Sequence, residues 1–307
     1  MLSDEEIWNQ AFIALNYFYP VIVTIGTIAN ILAFIIFSRK RFENTIFSTY
    51  FRFLLVVDTI GLVYLALGKF LYFQFEINIR DFNESLCRLT LLLAYSVPPI
   101  SAYLVVAISI DRWFTITKPT ILLFRRKQSF QVRVCVGIIV ANLIYNGQLF
   151  FSYVGIDKNQ VNSTERICLV QSLNALQTMD LINSTIVPFA IMIISTILTV
   201  NSVFDSRKKI RQSRNQNNSS NQNQIRKRDT KFAITSIAIN IIFLILNLPF
   251  ALSTQIPNTL MPDYQSDIIL VIFLLFTYLN HGMVFFINIS VNNIFLEEFK
   301  ILFNIFN

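Results

Sequence analysis

An aspartate stands inside the apolar run Leu-Leu-Val-Val-Asp58, and an ionisable group at such a position is costly unless it has a function or a partner. Asn30, Ser101 and Asn288 fall inside other apolar runs. Four side chains of this kind can enclose a sodium ion, because hard cations take oxygen ligands. A water-filled hydrogen-bonded network would serve the same groups. Asp111-Arg112-Trp113 closes another run, either as residues snorkelling to an interface or as a charged pair with a role. Asp180 near the end of a run can attract a basic ligand or face water, and His281 can line a pocket or hydrogen-bond a neighbour. No nucleophile, base and orienting group converge, so an enzyme is not expected. The single histidine and three cysteines show no ligand cluster, so no metal beyond sodium is expected.

These residues are carried by unusually oily elements. Of 307 residues, 54% are hydrophobic, 30 are Phe and only 14% are charged, against roughly a quarter charged in soluble domains. Seven runs, at 14–38, 47–74, 88–116, 131–154, 179–204, 231–256 and 267–291, reach the roughly 20 residues that cross a bilayer as a helix. They are too long, and alternate too little, for barrel strands. The expected fold is all-α: a seven-transmembrane helix bundle over 14–291 with a short amphipathic eighth helix. The segment 1–13 is a short outer lead, acidic at Asp4, Glu5 and Glu6 rather than a cleavable signal.

Basic residues set the orientation. Arg39, Lys40 and Arg41, then Lys118, Arg125, Arg126 and Lys127, then eight Lys and Arg between Arg207 and Arg228 fall on one side. Lys69, Arg80, Lys158 and Arg166 are assigned to the other. Positive residues gather at the cytoplasm, so the N-terminus is expected outside, in the plasma membrane. The net charge of +7 therefore belongs to loops against lipid, and no basic face with stacking aromatics points to nucleic acid. Residues 205–230 form inner loop 3, expected to be partly disordered through the Asn/Gln/Ser-rich stretch 214–224. Within 292–307, Phe295, Phe299, Leu302 and Phe306 share one helical face, expected to lie along the inner membrane surface.

Cys87 and Cys168 both face the oxidising side in this topology, compatible with a disulfide, while Cys135 is expected to be free. Asn83 and Asn162 are glycan acceptor sites in outer loops. Pro188 and Pro249 each remove a helical hydrogen bond. Pro98 and Pro99 leave the carbonyls of Ala94 and Tyr95 without their usual donors.

Taken in order, these landmarks resemble the rhodopsin-like (class A) G-protein-coupled receptors along nearly the whole chain. Gly-Thr-Ile-Ala-Asn30 and Leu-Val-Val-Asp58 look like the helix-1 and helix-2 motifs. Cys87 precedes Arg112 by 25 positions, Ser-Ile-Asp-Arg-Trp (109–113) resembles the Asp-Arg-Tyr box, and Pro188 and Phe243-x5-Pro249 stand at the helix-5 and helix-6 landmarks. The resemblance implies that Arg112 contacts a heterotrimeric G protein, locked at rest by Asp111 and Asp229. It implies that Phe243, Pro188 and Pro249 transmit the change, and that Asn30, Asp58, Ser101 and Asn288 form a sodium and water site. The motif Ile-Asp-Arg-Trp-Phe-Thr-Ile-Thr-Lys-Pro (110–119) is similar to invertebrate FMRFamide-type neuropeptide receptors, implying an extracellular peptide ligand held by Tyr95, Asp180, Ser184, Phe250, Asn280 and His281. A chemosensory or lipid ligand is the alternative within the class. A transporter is the alternative outside it, and would need the internal repeat that this sequence lacks.

The sequence also departs from the family pattern. Helix 6 reads Leu246-Asn247-Leu248-Pro249 without its tryptophan, helix 7 reads Asn288-Ile289-Ser290-Val291-Asn292 without proline or tyrosine, and Thr196 stands at the helix-5 tyrosine position.

Overall fold

The computed structural model describes residues 4–43, 47–117, 128–151, 153–156, 166–169, 178–213, 220–253 and 263–303. The side chains of 4–7, 9, 43, 150–156, 166, 167, 169, 206–231 and 263–267 lie outside that description. In lipid the backbone must satisfy its own polar groups, and each oily run is helical over most of its length. Helix α1 comprises Asp4–Asn16 and Phe18–Phe37 joined at Tyr17, so it starts inside the segment expected as a lead. Helix α2 is Ser48–Phe75 and α3 is Glu84–Thr117. Among the described residues six helices are long and apolar enough to span a bilayer, and a pair bent by 55°, Ile268–Asn280 with Met283–Val291, makes a seventh when taken as one span. That pair lies within α7, whose two parts are Asp263–Asn280 and Met283–Val291.

One expected boundary shifts. Helix α4 covers Gln128–Tyr145 and tightens into a 3-10 turn at Asn146–Phe151, short of the expected 131–154. Tyr153 and Val154 instead belong to β1 (Tyr153–Ile156), antiparallel to β2 (Arg166–Leu169), with Val154 opposite Cys168. Aromatic and β-branched residues suit a pleated strand, and the Cys87–Cys168 disulfide brings β2 within reach. Of inner loop 3, where disorder is expected through 214–224, residues 205–213 and 220–230 are helical and 214–219 lie outside the described residues. Helix α5 runs from a wide π turn, Leu181–Ile186, through Val187–Ser213, and α6 is Ser220–Ser253. Lys, Arg and Gln are good helix formers, so these polar ends continue the spans beyond their apolar length.

Helix α8, Asn293–Leu302, follows α7 after one extended residue. Asn292 caps it, its side-chain oxygen accepting from the amides of Ile294 and Phe295. Phe295 is fully buried among Phe37, Phe42 and Phe285, so this end of the expected apolar face is the floor of the bundle rather than a lipid contact. Phe306 lies outside the described residues. Outward, α1 exposes Ile25, Ile28 and Ile31, α5 exposes Ile193, Ile194 and Ile197, and α6 exposes Ile241, Ile245 and Leu252. Continuous oily belts of that size mark a membrane-facing surface.

Candidate functional site

Between α2, α3, α5, α6 and α7, toward the disulfide end, lies a cavity of about 470 Å³. Its α2 wall is one helical stripe, Tyr64, Leu65, Gly68, Lys69 and Tyr72; its α7 wall is another, Leu270, Leu274, Thr277, Tyr278 and His281. Tyr95, Asp180, Ser184 and Phe250, expected from sequence, complete the lining, and Phe243, expected only as a transmission residue, joins them. Asn280 does not line it: it is buried one position off the α7 stripe, and successive helical residues point about 100° apart. Lys69 sits inside α2, not in an outer loop as assigned, and Arg80 joins it on the wall. Among the described residues neither forms an ion pair. Asp180 faces the same space.

The mouth is fixed from α3. Asn83 Oδ1 accepts from the amide of Leu86 at 2.9 Å, capping the helix while Asn83 stays exposed. Asn162, the other acceptor site, lies outside the described residues. Asp81 accepts from the backbone amide of Cys168 at 2.8 Å, holding β2 over the opening beside the disulfide.

The cavity floor is polar. Asp58, 1% exposed, receives the Ser101 hydroxyl at 2.7 Å and His281 Nδ1 at 2.7 Å, both on Oδ1. Asn30 donates to the carbonyl of His281 at 3.0 Å and to Thr59 Oγ at 3.3 Å. Asn288 does not join Asp58; its amide donates back to the Val284 carbonyl at 2.8 Å. The α7 break lets His281 reach inward, and it packs closely because Gly282 lies against Gly26: a Cβ on Gly282 would stand 3.0 Å from Gly26 Cα.

Below the floor, Phe243 meets Phe189 edge-on at 6.0 Å, one residue after the buried Pro188, and Pro249 lies inside α6. Asn240 then ties three helices together. It accepts from Ser109 Oγ at 2.7 Å and donates to Thr196 Oγ at 2.8 Å. One turn on, Arg112 and Asp111 are buried. The Arg112 guanidinium lies 3.9 Å over the Phe47 ring and 5.6 Å from that of Phe232, and the two rings are 4.0 Å apart. The Asp229 side chain, expected as a lock, lies outside the described residues.

The seven-transmembrane receptor (rhodopsin family) model matches residues 29–284. The chain belongs to the rhodopsin family of seven-transmembrane receptors. It is a receptor and not an enzyme, as expected. It is similar to the N-arachidonyl glycine receptors of Homo sapiens, 27% identical over 202 residues, and of Bos taurus, 26% identical over 202 residues. Each match covers 64% of this receptor and 59% of the relative.

Sequence reasoning missed Lys69, Arg80, Asn240 and the Phe47–Phe232 pair. A lysine inside an oily run was a visible signal. Phe47 and Phe232 had none among 30 phenylalanines.

Proposed function

We propose that this receptor sits in the plasma membrane with its N-terminus outside, binds an extracellular ligand in the 470 Å³ cavity, and activates a heterotrimeric G protein at Arg112. The observation that carries this reading is the continuous relay from cavity to coupling end. His281 and Phe243 line the cavity, Asn240 clamps α3, α5 and α6, and Arg112 is stored buried beneath them. Outward movement of α6 breaks the Asn240 bonds and uncovers Arg112, a switch between two packed arrangements.

The ligand we favour is an amphiphile with an acidic head. Lys69 and Arg80 supply cationic partners that form no ion pair among the described residues, and Leu65, Phe243, Phe250, Leu270 and Leu274 supply an apolar body. The relatives are receptors for N-arachidonyl glycine, by name. The position of Asp180 on the wall supports a second reading, an FMRFamide-type peptide whose arginine faces it.

The test is G-protein activation in cells expressing the chain, challenged with N-acyl amino acids and with amidated peptides. Lys69→Met and Arg80→Met are expected to reduce acidic-lipid potency at least tenfold, since a charge-assisted hydrogen bond contributes about 1.5–3 kcal/mol, and to spare peptide responses. Asp180→Asn discriminates in the opposite sense. Arg112→Ala is expected to abolish every response at equal surface expression; signalling that survives it overturns the coupling assignment.

A further inference from the structure

The family resemblance brought the expectation of a sodium ion at Asp58, held with Ser101, Asn30 and Asn288. The residues present do not fit it. Asp58 Oδ1 already takes two donors, Ser101 Oγ and His281 Nδ1, each at 2.7 Å. A carboxylate only accepts, so the nitrogen facing it carries the proton in either charge state of the ring. A cation approaching that oxygen would meet an N–H pointing the same way. The buried amide oxygens of Asn30 and Asn288 have no hydrogen-bond partner, but neither residue is bonded to Asp58: Asn30 serves His281 and Thr59, and Asn288 serves Val284. A hard cation needs several converging oxygens, and while the His281 ring occupies this space Asp58 and Ser101 do not provide that set.

We propose that His281 stands in place of the ion, and that this receptor takes no sodium at Asp58. The ring is built in rather than swung in. Its side chain is 3% exposed. It packs against Gly61, where a Cβ would come into contact with Cδ2 and Nε2 at 3.4 Å. Its own carbonyl is fixed by Asn30. Because the same residue lines the ligand cavity, an occupant that moves the ring withdraws a donor from Asp58 directly, where an ion would otherwise have to leave.

The purified receptor tests this without any ligand. Its buried free thiol, Cys135, reports unfolding to a thiol-reactive dye, and a bound ion raises the melting temperature. The native chain is expected to melt at the same temperature in sodium chloride and in choline chloride of equal ionic strength. His281→Ala is expected to gain a sodium-specific rise of several degrees that disappears when Asp58→Asn is added. A sodium-specific rise in the native chain that Asp58→Asn removes overturns the proposal. So does a folded His281→Ala that stays indifferent to sodium. If His281→Ala does not fold, sodium-23 line broadening decides on the native chain: broadening equal to that of Asp58→Asn supports the substitution, and an Asp58-dependent excess refutes it.

Discussion

Pro98 and Pro99 withhold two amides from α3, and the carbonyl of Tyr95 is served instead by Asn146 Nδ2 at 3.0 Å. The donor comes from the 3-10 turn that ends α4, so the defect in α3 is answered from the end of α4. Asn146→Leu is expected to cost about 1–3 kcal/mol, the loss on leaving a buried acceptor unserved, read as a lower melting temperature. At the opposite end of α3 from the disulfide, Arg112 rests on Phe47, a contact of about 0.5–2 kcal/mol. Phe47→Ala is expected to raise ligand-independent G-protein activation severalfold, and Phe47→Tyr to leave it unchanged; equal basal activity in both would remove Phe47 from the resting state. Asp58, Ser101 and Arg112 were legible at this scale because charge and polarity inside an oily run need a reason. Phe47 was not, because its role comes from meeting Phe232 of α6, a contact that no local pattern encodes.

Helices α1 and α7 approach through glycine. A Cβ on Gly282 would press on Gly26 backbone, and one on Gly26 would fall 2.7 Å from Leu62 Cδ1. Gly282→Val is therefore expected to part the two helices and lower surface expression sharply, whereas Gly68→Ala, where a Cβ meets nothing within 4 Å, is expected to be neutral. Helix α8 is tied to the turn after α1 by Arg39 with Glu298 at 2.8 Å and Arg41 with Glu297 at 2.7 Å. Burial works against the Arg41 charge, but its hydrogen bonds and charge pairing with Glu297 and Glu298 outweigh this and raise its pKa above the ordinary arginine value. Glu297 is half-exposed and Glu298 buried, and exposed pairs contribute little. Glu298→Ala is thus expected to loosen α8 in hydrogen exchange more than Glu297→Ala. The helices themselves could be read from length and hydropathy. Their ends could not: β1 borrows the end of the fourth run, and Asn292, a departure from the helix-7 motif, turns out to cap α8.

At the scale of the whole molecule, the disulfide joins residues 81 apart in sequence and packs with Leu91, Leu149 and Tyr95. Cys168→Ser is expected to cost about 2–4 kcal/mol and to lower ligand potency along with thermal stability. The cavity was implied by the family resemblance; its charge pattern was not legible, because Lys69 was assigned to a loop. The two wide turns, Gly61–Ala66 in α2 and Leu181–Ile186 in α5, both lie on the inner side of these charges. Each holds slack in the winding of its helix. Tightening one to an ordinary turn would screw the outer segment round by about 100° per residue taken up, carrying Lys69 or Asp180 off the cavity wall while the lower half stays still. The sign of charge presented to a ligand is therefore a matter of helical pitch, and a ligand that grips either residue also fixes how tightly its helix is wound.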